Sequence, residues 1–175
     1  MKNLNFFTGR MIKLIISTLF ICLGFYANAQ NSSTTIGRVK GDSFEFVIDT
    51  VAYKNYVSRQ LLDSGYDFIF DKIEIKTQLT LGSQREFFYL LLISKDKKIK
   101  VARWIIKQGN NFITNDELGE DDVFEQLYLT CVGSGSCSPQ VFEDNNIRMW
   151  GCSDVVGCSA SEGQRPKCIT IQSIF

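Results

Sequence analysis

Five cysteines near the end of the chain are the residues best placed to do chemistry. Clustered thiols can bind zinc, carry out thiol–disulfide exchange or form structural disulfides, and each use has its own spacing. A sixth cysteine, Cys22, lies far from the others in the sequence. The clustered cysteines are Cys131, Cys137, Cys152, Cys158 and Cys168.

The spacing of these cysteines argues against a metal site and against a redox motif. Structural zinc sites usually hold pairs of cysteines separated by about two to four residues. Here five residues separate Cys131 from Cys137, and five separate Cys152 from Cys158. The chain has no C-x-x-C motif of the thioredoxin type and no histidine to complete a zinc site. We therefore predict structural disulfides, with no metal and no cofactor.

Two disulfides among five cysteines leave one thiol over. The segment "QVFEDNNIRMW" predicts two short strands around a turn, so Cys137 and Cys152 would face each other across the open end of a hairpin. Cys158 and Cys168 flank "SASEGQRPK" in a similar way, which leaves Cys131 unpaired. The alternative pairs Cys131 with Cys137 and Cys152 with Cys158, and leaves Cys168 over. In the first arrangement we expect the remaining thiol to be structural rather than catalytic, because it follows the apolar segment "LYLT".

The absence of histidine limits the enzymatic chemistry that the chain can perform. It removes Ser-His-Asp and Cys-His catalysis and every histidine-ligated metal. Acidic residues cluster in "DELGEDD", from Asp116 to Asp122, but this segment does not match the ligand spacing of a calcium loop. We interpret these acids as the solvated start of a short helix. We therefore predict that the protein is not an enzyme.

The segment "KDKKIKVARWIIK" combines basic residues with Trp104, as nucleic-acid-binding proteins often do. Residues 1–29 hold three of the 19 basic residues and none of the 19 acidic ones, so the rest of the chain has a net charge of −3. A mildly acidic chain gives no reason to expect nucleic acid as a partner. We interpret the lysines of this segment as protection of sheet edges against pairing.

Trp150 is the candidate recognition anchor in the cysteine-rich segment, where it lies between Met149 and Gly151. A tryptophan held rigid and exposed by disulfides would be an effective binding hot spot. A buried tryptophan would instead form the small core of that segment. The exposed fraction of the Trp150 side chain therefore decides between the two interpretations.

The first 29 residues have the composition of a secretory signal peptide. Basic residues at Lys2, Arg10 and Lys13 precede an apolar run over 14–26 and the small-residue site Ala27-Asn28-Ala29. The apolar run is shorter than the roughly 20 residues that a membrane-spanning helix needs. We expect cleavage after Ala29, a secreted or periplasmic location and no membrane attachment of the mature chain.

The remaining pattern predicts a single domain of the α+β class. Residues 30–41 are polar and predict a flexible leader. In residues 42–130, "YKNYVSRQLLDSG" has helical spacing, and the strands that follow with short turns predict an antiparallel meander. Residues 131–175 form a disulfide-stapled, cysteine-rich tail that packs on or extends the core sheet and ends in the strand "CITIQSIF". One helix packed on a meander resembles the element order of cystatin-like folds, as a likeness of architecture only.

Two functions of different class are compatible with these features. The first is a secreted, non-enzymatic binding domain for an unknown protein or small-molecule ligand, with an inhibitor-like version suggested by the element order. The alternative is an exported thiol protein that uses its unpaired cysteine for redox work or covalent dimerisation. The protein would accordingly be a monomer or a disulfide-linked dimer.

Overall fold

Two β-sheets and two helices make up the computed structural model, which describes residues 33–116, 123–133, 136–145, 147–153 and 168–175. The larger sheet has eight strands and the smaller has three. The larger sheet contains β1 (Ser33–Lys40), β2 (Ser43–Phe46), β3 (Phe70–Leu79), β5 (Glu86–Ser94), β6 (Ile99–Gln108), β7 (Asn111–Asn115), β8 (Tyr128–Gly133) and β11 (Cys168–Ser173). The smaller sheet contains β4 (Leu81–Gly82), β9 (Ser138–Asp144) and β10 (Ile147–Ser153). The helices are α1 (Thr50–Asp63) and α2 (Val123–Gln126).

Strand β6 is the centre of the larger sheet, because it pairs antiparallel with β5, β7 and β8. Successive side chains of a strand point to opposite faces of the sheet. Val101 and Ile105 belong to the core cluster on the α1 side, and Ala102 and Trp104 pack in the cluster on the opposite side. Arg103 follows the same alternation and points to the α1 side, where its guanidinium lies over the Tyr128 ring.

Helix α1 covers one face of the larger sheet. Its first turn is capped by Asp49, whose carboxylate accepts hydrogen bonds from the backbone N–H groups of Val51 and Ala52 at 2.9 and 3.0 Å. Val57 and Leu61 lie one turn apart and are fully buried in the core cluster that β5 and β6 also line. The helix predicted from the spacing of these residues is confirmed.

The smaller sheet covers the opposite face of the larger sheet. Its strand β4 pairs parallel with β9, and β9 pairs antiparallel with β10 in the predicted hairpin. Phe87, Val141 and Trp150 are buried together between the two sheets. The molecule is therefore mostly antiparallel sheet. Antiparallel strand pairing was predicted, but the predicted α+β order of one helix on a meander describes only part of this strand-dominated structure.

The polar segment over residues 30–41 is not a flexible leader in residues 33–40, and that prediction is wrong there. These residues form β1, which pairs antiparallel with both β2 and β7. A strand with partners on both sides satisfies its backbone hydrogen bonds within the sheet. Ile36, the one buried hydrophobic side chain of this strand, is only 1% exposed. Pairing with two strands and burial of Ile36 therefore stabilise a strand here, although the composition of the segment is polar.

Two disulfides join the smaller sheet to the larger one. Cys131 on β8 is bonded to Cys152 on β10, with Cα atoms 5.5 Å apart. Cys137, just before β9, is bonded to Cys168 at the start of β11, with Cα atoms 5.6 Å apart. Structural disulfides are confirmed, and they are consistent with an oxidising compartment.

The predicted pairing of these cysteines is wrong in both of its versions. Cys137 and Cys152 do flank the hairpin, but the strand register places Cys152 opposite Pro139. A residue two positions off register lies about 7–8 Å away, beyond the reach of a disulfide. Cys131 is bonded rather than unpaired, and Cys168 has Cys137 as its partner instead of Cys158. Cys158 lies outside the described residues.

In the described part of the chain, no helix is long and apolar enough to cross a membrane.

Candidate functional site

A cavity of about 380 Å³ lies between helix α1 and the larger sheet. We call it the Arg103 cavity. Tyr53 and Tyr56 line it from α1, Thr34 and Ile36 line it from β1, and Arg103 lines it from β6. The two tyrosines are three residues apart, so they project from neighbouring positions on one side of the helix.

The remaining wall of the Arg103 cavity comes from β7, β8 and the chain after β11. Thr114 lies in β7, and Asp116 follows directly after that strand. Tyr128 is the first residue of β8, and Phe175 follows the end of β11. Four aromatic rings and a small set of polar groups therefore converge on one space from six elements or their ends.

Arg103 is the central polar group of this cavity and is 7% exposed. Its guanidinium donates hydrogen bonds to the Asp116 carboxylate and to the Tyr128 hydroxyl. The other carboxylate oxygen of Asp116 accepts a hydrogen bond from Thr114 at 3.0 Å. A buried arginine needs such a counter-charge, because an isolated charge out of water is very costly.

Two phenols extend the Arg103 network toward the helix. The hydroxyl oxygens of Tyr53 and Tyr128 lie 3.2 Å apart. The ring of Tyr128 also lies under the Arg103 guanidinium, 4.8 Å from its central carbon, in a cation–π contact. Arg103, Tyr128 and Tyr53 thus form one continuous polar path through an otherwise aromatic cavity.

The protonation states of these groups follow from burial and from their neighbours. Burial raises the pKa of Tyr53 above its ordinary value of 10.0. Burial also raises the pKa of Tyr128, and the neighbouring Tyr53 raises it further. Burial acts to lower the pKa of Arg103, but the neighbouring Tyr128, Tyr53 and Asp116 outweigh it and raise that pKa. The cavity therefore contains a stable cation and two neutral phenols at physiological pH.

Phe175 lines both the Arg103 cavity and a second space of about 210 Å³. The second space is lined by Ile174 and Gln126 and shares Arg103, Asp116 and Phe175 with the first. The Phe175 ring stacks on Tyr128 with ring centroids 4.2 Å apart. The two spaces therefore adjoin at Phe175, Arg103 and Asp116.

Trp150, the predicted recognition anchor, does not lie on the surface. It is 4% exposed and belongs to the aromatic cluster between the two sheets. Its ring stacks on Phe124 at 5.6 Å and contacts Phe87 edge to face at 6.0 Å. Of the two interpretations that the sequence left open, the structure supports the buried core residue.

A small pocket of about 170 Å³ lies beside that cluster, and its charged groups already have protein partners. Arg85 pairs with Glu143 at 2.9 Å. The guanidinium of Arg148 lies over the rings of Trp104 and Phe124 at 5.4 and 5.2 Å. We interpret these contacts as a structural network that fixes the edge of the smaller sheet.

The basic segment that contains Arg103 does not protect a sheet edge, and that interpretation is wrong for β6. The first half of β6 lies between β5 and β8. Lys100 donates hydrogen bonds to the carbonyl oxygen of Cys137 at 2.7 Å and to the Ser138 hydroxyl at 2.9 Å. The two basic side chains have different structural roles. Lys100 links the larger sheet to the start of β9 in the smaller sheet, and Arg103 organises the polar groups of the cavity.

Within the described residues, no group of three or more histidine, cysteine, aspartate or glutamate side chains could hold a metal ion. No protein-family model, no curated protein and no solved structure matches this chain. The functional proposal therefore rests on the geometry of the Arg103 cavity.

Proposed function

We propose that this protein is an exported, non-enzymatic binding domain that holds a small molecule in the Arg103 cavity. The observation that carries the proposal is the cavity itself. Small-molecule sites are clefts of roughly 300–1,000 Å³ with mostly apolar or aromatic walls and a few convergent polar groups. A space of about 380 Å³ with four aromatic rings and one buried polar network has these properties.

The chemistry of the cavity supports binding rather than catalysis. A general base works best when its pKa lies near the operating pH. The pKa values of both phenols move further from neutrality, because burial raises them. Asp116 already accepts hydrogen bonds from Arg103 and Thr114 with its two oxygens. No histidine exists in the chain to supply the missing base or nucleophile activation.

Export is supported by the leader sequence and by the two disulfides. Residues 1–29 have the order of charges, apolar residues and small residues that a secretory signal requires. Disulfides persist mainly in oxidising compartments, and the two found here clamp the smaller sheet onto the larger one. An inhibitor-like role has weaker support, because it rests on the helix-on-meander element order alone.

The second candidate is an exported thiol protein, and the odd number of cysteines after the proposed cleavage position favours it. Five cysteines follow the proposed cleavage position, and four of them are in disulfides. The fifth, Cys158, would carry the thiol for redox work or for a covalent dimer. This role does not involve the Arg103 cavity, so the two candidates are separable by experiment.

Ligand-observed NMR with a library of aromatic fragments tests the binding proposal. Thr34→Trp would fill the mouth of the cavity from an exposed strand position, and Thr35→Trp is the matched control beside it because Thr35 does not line the cavity. We expect fragments that bind the wild-type protein to be lost in Thr34→Trp and kept in Thr35→Trp. Fragment signals that are the same in both variants would place the ligand elsewhere and contradict the proposal.

A further inference from the structure

We infer that the ligand of the Arg103 cavity is a small, neutral molecule with an aromatic or branched apolar body and one hydrogen-bond-accepting oxygen. The inference rests on the proposed binding function and specifies the chemistry that the cavity recognises. Three properties of the cavity carry it: a surplus of hydrogen-bond donors, a balanced charge and aromatic walls.

The surplus of donors follows from counting protons at the two phenols. Tyr53 and Tyr128 have one O–H proton each, and only one of the two can lie in the hydrogen bond between their oxygens. The neighbouring Arg103 guanidinium is a donor only and cannot accept the other proton. Whichever way the pair is oriented, one phenolic proton has no acceptor in the part of the chain that the structure describes.

The Asp116 carboxylate does not relieve this surplus, because no phenol donates to it among the described residues and other donors already bind both of its oxygens. One oxygen of Asp116 accepts from Arg103 and the other accepts from Thr114. The Nε–H group of Arg103 is buried and likewise has no acceptor among the described residues. Buried donors without acceptors cost free energy, so a ligand that offers an oxygen acceptor to the exposed part of this network gains a hydrogen bond that the protein leaves unmade.

The charge balance of the cavity disfavours an ionic ligand. Asp116 pairs with Arg103 and neutralises it, and the raised pKa values keep both phenols neutral. An anionic ligand would bring a second negative charge next to Asp116, and a cationic ligand a second positive charge next to Arg103. Burying a charge without a partner is expensive, so a ketone, ester, ether or amide oxygen fits better than a carboxylate or an amine.

The walls of the cavity define the rest of the ligand. The rings of Tyr53, Tyr56, Tyr128 and Phe175 surround the space, together with the buried side chain of Ile36. Aromatic rings gain from stacked and edge-to-face contacts with other rings. A flat or branched apolar group of about the size of a phenyl ring would contact these walls while its oxygen lies at the phenol pair.

Three probes of nearly the same shape separate these properties. Acetophenone has the ring and a neutral acceptor, isopropylbenzene has the ring without an acceptor, and benzoate has the ring with a charge. We expect acetophenone to bind about threefold to tenfold more tightly than isopropylbenzene, which is the range for one added hydrogen bond. We expect benzoate to bind more weakly than acetophenone, as measured by NMR titration of the mature protein.

A substitution at Asp116 provides the strongest prediction. Asp116→Asn keeps the shape of the side chain but leaves the charge of Arg103 without its partner. We expect the preference to invert, so that benzoate binds more tightly than acetophenone. Asp71→Asn, at an exposed position on β3 outside the cavity lining, is the control and should keep the wild-type order.

The outcomes distinguish the inference from the proposed function. If acetophenone and isopropylbenzene bind wild-type protein equally and Thr34→Trp removes both, the binding function stands and the acceptor requirement is wrong. If benzoate binds wild-type protein most tightly, the neutrality requirement is wrong. If no probe binds, or if Thr34→Trp changes nothing, the function and the inference fail together. The wild-type series decides these points even if Asp116→Asn does not fold.

Discussion

The hydroxyl oxygens of Tyr53 and Tyr128 lie 3.2 Å apart, although the two residues are 75 positions apart in the sequence. Tyr53 belongs to helix α1 and Tyr128 to strand β8, so this contact joins the helix to the larger sheet at the cavity wall. Tyr128 also accepts a hydrogen bond from the buried Arg103. Removal of either hydroxyl therefore tests both the packing of the helix and the polar network of the cavity.

We predict that Tyr128→Phe destabilises the protein more than Tyr53→Phe does. Tyr53→Phe removes one hydrogen bond and should lower the free energy of unfolding by about 0.5–1.5 kcal/mol. Tyr128→Phe also leaves a buried Arg103 donor without its acceptor and should cost about 1–3 kcal/mol. The double variant should lose less than the sum, because both substitutions break the same bond. Urea unfolding gives the free energy of unfolding of both single variants and of the double variant.

Tyr56→Phe is the matched control for these tyrosine variants. Tyr56 lines the same cavity, but its hydroxyl makes no hydrogen bond within the described residues. Its stability should stay within about 0.5 kcal/mol of wild type. Equal losses at all three tyrosines would show that ring packing, and not the hydroxyl network, sets the stability here.

We predict that Glu143→Gln lowers the free energy of unfolding most near neutral pH. The buried Glu143 carboxylate accepts hydrogen bonds from Ser83 at 2.5 Å and from Arg85 at 2.9 Å. The bond from Ser83 lowers the pKa of Glu143 below its ordinary 4.5 against the opposing effect of burial, and the charge of Arg85 adds to the lowering. A carboxylate with a lowered pKa stabilises the fold fully above its unfolded pKa and loses that contribution as pH falls through the folded value.

The stability difference between wild type and Glu143→Gln should accordingly shrink as the pH falls below 4.5. Asp144→Asn is the control, because Asp144 is the next residue on β9 and is exposed. Denaturant unfolding over a range of pH checks the prediction. A difference that stays constant from neutral to acid pH would show that the charge of Glu143 contributes nothing to folding.

Much of the fold could be predicted from the sequence, because local patterns report local structure. The helical spacing in "YKNYVSRQLLDSG" predicted helix α1, and the strands that follow it with short turns predicted antiparallel pairing. Strand β1 was missed because its burial comes from pairing with β2 and β7 and not from its own composition. The disulfide pairs were missed for a related reason, since the register and the sheet that each cysteine faces are tertiary properties.

The site could be predicted only in part, although one signal was present. Arg103 alternates with Val101 and Ile105, and that period-two pattern places all three side chains on one face of a strand. Its position among several lysines suggested a basic segment that protects a sheet edge instead. Asp116 was likewise assigned to the acidic cluster "DELGEDD", because the residues beside it in the sequence are acidic. The sequence does not show that β6, β7, β8 and α1 bring Arg103, Asp116, Tyr128 and Tyr53 together.

We predict that each disulfide contributes separately to stability. Removing the Cys131–Cys152 bond by alanine substitution of both residues should lower the free energy of unfolding by about 3 kcal/mol in the chain-entropy model, for a separation of 21 residues. Removing Cys137–Cys168 should cost slightly more, since its separation is 31 residues. Urea unfolding gives the losses, and non-reducing peptide mapping identifies the links. A map that joins Cys137 to Cys152 would contradict the pairing described above.

We predict that Phe175→Ala enlarges the range of ligands that the cavity accepts. The Phe175 ring stacks on Tyr128 and lines both adjoining spaces, so we expect its removal to join them. Without it, a two-ring ketone such as benzophenone should gain affinity relative to acetophenone. Ile174→Ala is the control, because Ile174 lines the second space but not the Arg103 cavity and is 52% exposed. The ratio of the two affinities, measured by NMR titration, checks this, and a ratio unchanged from wild type would show that Phe175 is not the boundary.

We predict that the exported protein begins at Gln30 and carries one thiol per chain, at Cys158. Cleavage after Ala29 removes Cys22 with the leader, and four of the remaining five cysteines are in disulfides. Iodoacetamide applied to the unfolded but non-reduced protein should add one group, on the peptide that contains Cys158. N-terminal sequencing and intact-mass measurement check both points. A chain that keeps Leu14–Tyr26 would contradict export. A dimer of twice the mass with no adduct, or rapid labelling of Cys158 in the folded protein, would favour the thiol function over the binding function.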